Sequence, residues 1–386
     1  MDSVVRKAYA KVNLGLDIVG LREDGYHLVR MIMQTIGIND VLTFRKVEEP
    51  GVVLKISEKS TLTDIADVPM DDRNLVVRAA KKILEKISEN DRTDCAAVIP
   101  GVEITLEKHI PMAAGMAGGS TDCAAALRGV AELFGYSCSE EELAEIGVSL
   151  GADVPYCLMG GTALSEGIGE KLTKLPDLPP CRFVIIKPEF GASTKEVYGT
   201  YDALNPEEID HPDIDGMVDS LNRGDLSGVL TRLGNVLELV TARLHPEITQ
   251  IEDMLKELGV TDTIMTGSGP TVFGVLKKEL NEEERNEEER NEEERNEEER
   301  NEEERNEERR NEERRNEERR NEERRNEERR NEERRNEERR NEERRNEERR
   351  NEERRNEDRL KAALTGKLEK AGIPARVYVV DGTVKQ

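Results

Sequence analysis

The sequence predicts an α+β protein with two domains. Residues 102–107 alternate between apolar and polar side chains, which is the period-two pattern of a half-buried strand. Residues 120–134 are rich in Ala and Leu, as expected of a helix. Strand-like and helix-like segments are mixed again beyond Gly160, so we place a domain boundary near residues 160–161. A chain of 386 residues is long enough for two hydrophobic cores.

The first domain, residues 1–160, contains clear local signals. Gly25 marks a turn between two predicted strands, and Asn74 is a candidate cap for a helix that continues to about residue 87. Ser139, followed three residues later by Glu142, forms a capping-box signature. The elements in order are strand 8–20, strand 31–47, helix 75–87, strand 102–106, a Gly-rich loop 111–119, helix 120–134 and a helix after Ser139.

The second domain, residues 161–280 and 356–386, repeats this mixture. Strands are predicted near Thr162 and Phe183 and at 272–276, and helices around 218–221, 237–244 and 248–258. Leu360, Leu364 and Leu368 recur every four residues and predict the apolar face of a further helix.

A charged repeat interrupts the second domain. Residues 281–355 are five copies of NEEER followed by ten copies of NEERR. The unit lacks apolar residues and builds no core, but its Glu–Arg spacing favours a solvated helix. Two hypotheses remain: a helical spur growing from the helix at Asp358 with a disordered return, or a wholly disordered loop. A partner-binding role for the repeat is the less favoured alternative.

The negative net charge of the chain limits which kinds of binding partner are expected. The formal net charge is −25, and the repeat contributes −10 of it, which leaves −15 on the remaining 311 residues. An acidic surface repels nucleic acid and anionic membranes, so neither is an expected partner. The five cysteines are scattered without a CxxC pair, which argues against a disulfide framework or a structural zinc site. We see no signal peptide and no membrane-spanning run, and we expect a cytoplasmic protein.

The motif with most chemical content is PMAAGMAGGSTD, residues 111–122, between a strand and a helix. Glycines allow backbone N–H groups to approach phosphate oxygens, and a helix N-terminus adds positive potential. Ser120 and Thr121 add hydroxyls for phosphate or magnesium. The pattern is neither a Walker nor a Rossmann loop. The alternative is a flexible connection without a ligand.

Four weaker motifs each have an ordinary structural explanation as well as a functional one. TGSGPT, residues 266–271, is a tight turn or a ligand loop, and Asp153 in GADVP is either a solvated turn residue or a carboxylate that accepts a proton. Lys11, in the strand segment AKVN, is a surface residue or an active-site cation. Tyr26 and His27, in DGYH, pack in the core or stack on a base and read its edge.

The order of these motifs is more specific than any one of them. AKVNLGL, DGYH, PMAAGMAGGSTD, GADVP, GGTALSEGIGE and TGSGPTVFG together resemble the GHMP kinase superfamily. Within it, the DGYH element and the stretch from GADVP to SEGIGE resemble the branch that phosphorylates the 2-hydroxyl of a cytidine diphosphate-linked methylerythritol. The resemblance covers the chain outside the repeat. Related kinases of other small alcohols, and a non-catalytic scaffold with a charged arm, are the alternatives.

This resemblance implies a fold, cofactors and a site. It implies a ribosomal-protein-S5-like N-terminal domain, a ferredoxin-like C-terminal domain, and ATP with Mg²⁺. Asp153 would be the catalytic base and Lys11 its cationic partner. The ATP-binding residues would be Pro111, Gly115, Met116, Ala117, Gly118, Gly119, Ser120 and Thr121. The substrate-binding residues would be Asn13, Tyr26, His27, Thr194 and Tyr198, with Gly267, Ser268 and Gly269 in the second Gly-rich turn.

Overall fold

The first sheet is built around one long hairpin. The computed structural model describes residues 2–62, 65–90, 101–277 and 351–384, together with 344, 347 and 350. In these residues seven strands form the first sheet: β1 (Ser3–Leu21), β2 (His27–Val47), β3 (Gly51–Ile56), β4 (Gly101–Glu107), β5 (Thr162–Gly167), β6 (Lys171–Lys174) and β8 (Gly234–Asn235). β1 and β2 pair along nearly their whole length, and Gly25 at the turn has a φ of 86°. A φ in this range favours glycine.

The strand order of this sheet is β3-β4-β2-β1-β8. β4 and β5 share the other edge of β2, and β6 continues from β5. The predicted domain boundary at residues 160–161 thus precedes two strands that still belong to this sheet. The strand that starts the next sheet is β7 (Cys181–Pro188).

The second sheet has a ferredoxin-like order. It contains β7, β9 (Thr263–Met265), β10 (Val272–Lys277) and β11 (Ala375–Asp381), arranged as β11-β7-β10-β9. Counted within this sheet, the fourth strand lies beside the first, followed by the third and second, with antiparallel pairs throughout. The predicted α+β class and ferredoxin-like second half are confirmed.

Helices cover both sheets, and their caps agree with the sequence signals. The helices are α1 (Leu75–Asn90), α2 (Gly118–Phe134), α3 (Glu140–Leu150), α4 (Val154–Met159), α5 (Thr194–Tyr201), α6 (Ile214–Asn222), α7 (Leu226–Leu230), α8 (Glu238–Leu244), α9 (Glu247–Glu257) and α10 (residues 351–371). The side chain of Asn74 accepts a hydrogen bond from Val76, and that of Ser139 from Glu142, as expected of N-caps.

In the described part of the chain, two large apolar clusters lie in the core. One joins α1 and α2 to the first sheet, where α2 lies so close that a Cβ on Gly129 would be 2.3 Å from the ring of Phe44. The other contains residues of both sheets, with Ile32 and Phe183 among its fully buried members. This second cluster holds the two sheets together, and residues 1–277 and 361–386 form one compact unit.

The repeat lies mostly outside the described residues. Its described members, residues 344, 347 and 350–355, are helical and exposed. In α10, Leu364 and Leu368 are buried as predicted from their spacing. None of the described helices is long and apolar enough to cross a bilayer. In the described part of the chain, Cys123, Cys138, Cys157 and Cys181 are free thiols.

Candidate active site

The Gly-rich loop joins the end of β4 to the start of α2. Gly115, Ala113 and Ala117 all have positive φ, with values of 70°, 48° and 57°. Left-handed residues that alternate with ordinary ones turn successive backbone N–H groups towards one side, which creates an anion-binding concavity. Because α2 begins directly after Ala117, its free N–H groups face the same region.

Two cavities meet at this loop. The smaller has a volume of about 360 Å³ and lies between the loop and the start of α1, where Val68, Asn74 and Leu75 line it. The larger, of about 1040 Å³, extends along β1 and α5. Both are lined by Gly115, Ala117 and Ser120. A group bound at these residues would be reachable from either side.

Lys11 and Asp153 line the larger cavity next to this junction. The Nζ atom of Lys11 lies 3.9 Å from Oδ2 of Asp153. Asp153 is held at the N-terminus of α4, with Pro155 in the first turn. The pairing of β1 with β2 shifts its register between Tyr9 and Lys11. The N–H of Lys11 donates instead to the carbonyl oxygen of Met116 in the loop, at 3.2 Å. Irregularities of this kind are frequent at active sites.

Asn13 connects this pair to the second Gly-rich turn. Its side-chain oxygen accepts a hydrogen bond from Nζ of Lys11 at 2.7 Å, and its backbone N–H donates to Oγ1 of Thr266 at 2.9 Å. A Cβ on Gly115 would lie 2.5 Å from the carbonyl oxygen of Thr266, so the two Gly-rich segments touch. Of the residues 266–271, Gly267 and Ser268 line the larger cavity.

A buried ion cluster lies beneath the Gly-rich loop. The ammonium of Lys108 donates to Asp40 and, at 2.8 Å, to Asp122. Asp40 also accepts from the N–H groups of His109 and Ile110 where the chain enters the loop. Burial alone would lower the pKa of Lys108, but the two carboxylates raise it above its usual value. The cluster fixes both stems of the loop.

Asp122 is the carboxyl group of this cluster whose pKa is raised. Its Oδ1 atom is buried without a hydrogen-bond partner among the described residues, whereas Asp40 has three donors. Burial raises the pKa of Asp122 to about 8, and Lys108 offsets part of that effect. The neutral form of Asp122 is therefore favoured over its charged form.

The far end of the larger cavity is aromatic. The rings of His27 and Tyr198 are 4.8 Å apart and tilted, and the ring of Tyr201 approaches His27 edge-on at 6.4 Å. Tyr26 is 58% exposed and has the Arg22 guanidinium over its ring at 5.4 Å. Burial, with Asp153 nearby, raises the pKa of Tyr198 to about 12, so its hydroxyl stays protonated.

The structure brings most predicted site residues into these two cavities. Thr194 and Ser268 are joined by a hydrogen bond of 2.9 Å between their hydroxyls. Pro111, Met116, Gly118 and Gly119 line the smaller cavity. Thr121 and Gly269 differ from the prediction because they line neither cavity, and the Thr121 hydroxyl donates to the carbonyl oxygen of Tyr9 at 2.8 Å. That hydrogen bond ties α2 to β1.

Sequence reasoning did not find four residues near the site. Asp40, Lys108 and Asp202 lie outside the motifs, and Asp122 was noticed only as part of one. Lys108 and Asp122 flank the loop, which is a weak signal. Asp40 is 68 residues from Lys108 in sequence and Asp202 is 175 residues from His27, so only tertiary structure reveals these pairs.

Comparison with protein families agrees with the fold. Residues 74–161 match the family described as GHMP kinases N terminal domain, and residues 217–291 match GHMP kinases C terminal. The first segment includes the Gly-rich loop and Asp153, and the second includes the turn at 266–271. The fold and the site therefore define a GHMP kinase.

Sequence relatives indicate to which family of GHMP kinases the chain belongs. The 4-diphosphocytidyl-2-C-methyl-D-erythritol kinase of Lachnospira eligens is 46% identical over 279 residues, which cover 72% of this chain and 91% of the relative. The enzyme of the same name from Clostridium beijerinckii is 45% identical over 277 residues, with coverages of 72% and 92%. The chain belongs to the 4-diphosphocytidyl-2-C-methyl-D-erythritol kinase family.

Comparison with solved structures also finds kinases with a similar fold. A crystal structure of 4-(cytidine 5'-diphospho)-2C-methyl-D-erythritol kinase is 32% identical, with a TM-score of 0.56 and coverage of 70% of this chain and 90% of that one. A homoserine kinase from Cytophaga hutchinsonii has a TM-score of 0.60 at 16% identity and covers 99% of this chain and 96% of its own. At that identity the likeness concerns the fold alone.

Proposed function

We propose that this kinase transfers the γ-phosphoryl group of ATP to the 2-hydroxyl of 4-diphosphocytidyl-2-C-methyl-D-erythritol, giving the 2-phosphate and ADP. The observation that carries the proposal is the position of Lys11 and Asp153 beside the junction of the two cavities. One cavity is suited to a nucleoside triphosphate and the other to an alcohol acceptor. Phosphoryl transfer requires these two groups in line at one point.

Asp153 is proposed as the proton acceptor for the attacking hydroxyl. Its carboxylate is one-third exposed to the larger cavity, whereas the Lys11 side chain is only 6% exposed. Lys11 is anchored by Asn13 and by the loop backbone, so its charge stays fixed near the carboxylate and the transferred group. A fixed cation stabilises the charge that develops on the phosphoryl oxygens.

The triphosphate is proposed to lie over the Gly-rich loop with its nucleoside in the smaller cavity. The free N–H groups of the loop and of α2 would bind its oxygens. A magnesium ion bound to the triphosphate would neutralise part of its charge. The Ser120 hydroxyl, at the junction of the cavities, and the Asp153 carboxylate are oxygen ligands of the kind magnesium accepts, with phosphate oxygens and water as the others.

The cytidine end of the acceptor is proposed to lie at the aromatic end of the larger cavity. Its volume of about 1040 Å³ accommodates a nucleotide-sized ligand. Tyr26 and Tyr198 supply ring faces for stacking, and His27 supplies polar atoms for the base edge. Lys195, an exposed cation that lines the same cavity, is placed to face the diphosphate.

The test is phosphorylation of the cytidylyl substrate by the purified full chain, measured as ADP release and as phosphate on the 2-hydroxyl. Homoserine and mevalonate serve as comparison acceptors. We expect turnover with the cytidylyl substrate only. A higher kcat/KM with either smaller alcohol would contradict the proposed acceptor while leaving the kinase family unchanged.

A further inference from the structure

A carboxylate that the proposed phosphoryl transfer does not use lies at the aromatic end of the larger cavity. Oδ1 of Asp202 lies 2.6 Å from Nε2 of His27. The His27 side chain is 13% exposed and that of Asp202 is 51% exposed, and both residues line the larger cavity. The contact therefore joins a nearly buried imidazole to a carboxylate at the mouth of the cleft.

The position of Asp202 is unfavourable for its own helix. It is the C-cap of α5, where the unpaired carbonyl groups create negative potential. A cation or a neutral residue would suit this end better. A carboxylate that conflicts with a local preference of this kind suggests a functional reason, and its contact with His27 supplies one.

α5 immobilises His27 from more than one direction. Tyr198 and Asp202 are four residues apart and lie on one face of the chain at this helix end. The Tyr198 ring lies 4.8 Å from the His27 ring and the Tyr201 ring meets it edge-on at 6.4 Å. The imidazole is thus held in position and orientation before any ligand arrives.

The proton of a neutral imidazole resides on one nitrogen, and the partner of that nitrogen decides which. A carboxylate only accepts hydrogen bonds, so Asp202 selects the form of His27 that has its proton on Nε2. The second nitrogen, Nδ1, then has a free lone pair. Among the described residues, the only hydrogen bond found for this ring is the one to Asp202.

We infer that Asp202 is a specificity-determining positioning residue: it leaves Nδ1 of His27 as a hydrogen-bond acceptor that favours cytosine over uracil. This inference rests on the proposed function, since it assumes that the base lies at the aromatic end of the cleft. Cytosine carries an amino group at C4 and donates to an acceptor, whereas uracil carries a carbonyl oxygen there and does not. Uracil would leave two acceptors facing each other.

The first test measures directly which nitrogen of the His27 imidazole carries the proton. Long-range ¹H–¹⁵N spectra of the full chain show the state of each of the four histidines, and His27→Gln identifies the His27 signals. We expect the proton of the neutral ring to lie on Nε2. Asp202→Ala should shift His27 towards a mixture of forms, and Asp202→Glu should restore the original pattern. A His27 protonated at Nδ1 in the unchanged protein would overturn the inference.

The second test measures base preference without catalysis. CDP and UDP are titrated by calorimetry into protein saturated with a non-hydrolysable ATP analogue. One matched hydrogen bond changes affinity by about tenfold, so CDP should bind about tenfold more tightly than UDP. Asp202→Ala should bring the affinities for CDP and UDP to within about twofold of each other, mainly by weakening the binding of CDP. Asp202→Glu should retain the preference for CDP over UDP.

Glu107→Ala is the matched control, because it removes a carboxylate 3.0 Å from Nε2 of His109, a histidine that does not line the larger cavity. This variant should keep the preference for CDP. An unchanged ratio in Asp202→Ala would overturn the inference even if the full substrate is phosphorylated. Failure of the full substrate to react, with no binding of CDP, would instead contradict the proposed function.

Discussion

The ammonium of Lys11 and the carboxylate of Asp153 lie 3.9 Å apart, although one side chain is nearly buried and the other is one-third exposed. This asymmetry matters for the proposed chemistry. Lys11 is held by Asn13 and by the loop backbone, so it acts as a fixed charge. Asp153 faces the cavity and has room to meet a hydroxyl. The pair therefore combines a rigid cation with an accessible proton acceptor.

Asp153→Asn should abolish most of the turnover while leaving binding largely intact. The amide has the same shape but does not accept the proton, so we expect kcat to fall by about 10²- to 10⁴-fold with a small change in KM. Steady-state kinetics with the cytidylyl substrate measures both constants. Asp219→Asn, at an exposed position on α6, is the control and should keep kcat. Equal kcat values in the two variants would remove Asp153 from the mechanism.

Gly115→Ala should weaken ATP binding and stability together. Gly115 has a φ of 70°, and an added Cβ would lie 2.5 Å from the carbonyl oxygen of Thr266, so the two Gly-rich segments would have to separate. We expect a loss of at least about 2 kcal/mol in the free energy of unfolding and a raised KM for ATP.

Gly119→Ala is the matched comparison in the same motif. Its Cβ would meet only Leu75, at 3.9 Å, and Gly119 already lies within α2. Alanine stabilises a helix relative to glycine by up to about 1 kcal/mol. Urea unfolding of both variants checks the pair: comparable losses would show that the contact with Thr266 is not the cause.

The sequence predicted the elements better than the contacts between them. Asn74, Ser139 and Gly25 carry their structural preference in their own side chains or backbones, so caps and turns were recognisable locally. The Gly-rich loop was recognisable because anion binding needs glycines before a helix. The Asp40–Lys108 pair and the Asp202–His27 pair were not, because each depends on strands or helices far apart in sequence. Thr121 shows the converse, since its hydroxyl pattern suggested a ligand but it binds the Tyr9 carbonyl.

Asp122→Asn should reduce a loss of stability that develops as the pH rises from about 4 to about 8. The folded chain keeps a proton on Asp122 up to about pH 8, whereas an unfolded Asp loses it near pH 4, so the folded state binds more protons between these values. Stability therefore falls as the pH rises through this window. The amide stands in for the neutral acid and has no proton to lose.

Thermal unfolding between about pH 4 and 8 measures this difference. The midpoint of the unchanged protein should fall more steeply with pH than that of Asp122→Asn across this window, and the two midpoints should converge towards its acidic end. Lys108→Met is the contrasting variant. It leaves Asp40 buried without its cation, which should cost about 3–5 kcal/mol at any pH in the range. Parallel curves for the first two proteins would show that Asp122 is charged in the folded state.

Glu252→Gln should also make the stability of the protein less dependent on pH, through a second buried carboxyl group. Glu252 lies beside Glu238, whose carboxylate accepts the N–H of Met265 at 2.7 Å. Burial, reinforced by Glu238, raises the pKa of Glu252 to about 8. As for Asp122, the folded state keeps a proton that the unfolded state releases, so stability falls with rising pH. The effects of Glu252→Gln and Asp122→Asn should add in the double variant, because the two groups share no contact in the described residues. A double variant no flatter than either single one would contradict two separate sites.

Removal of residues 281–355 should leave the kinase intact. The described residues that line the two cavities all belong to the compact unit of residues 1–277 and 361–386. Shortening a loop changes its closure entropy only logarithmically, so the free energy of unfolding should change by no more than about 2–3 kcal/mol. We expect kcat and KM within about twofold of the full chain, because the residues that bind the substrates and those that stabilise the transition state are all retained.

Circular dichroism of the two proteins tests the helical hypothesis for the repeat. If the repeat is helical, its deletion should remove much of the signal at 222 nm. A shortened chain that folds but has lost its turnover would show that the repeat acts on the site after all.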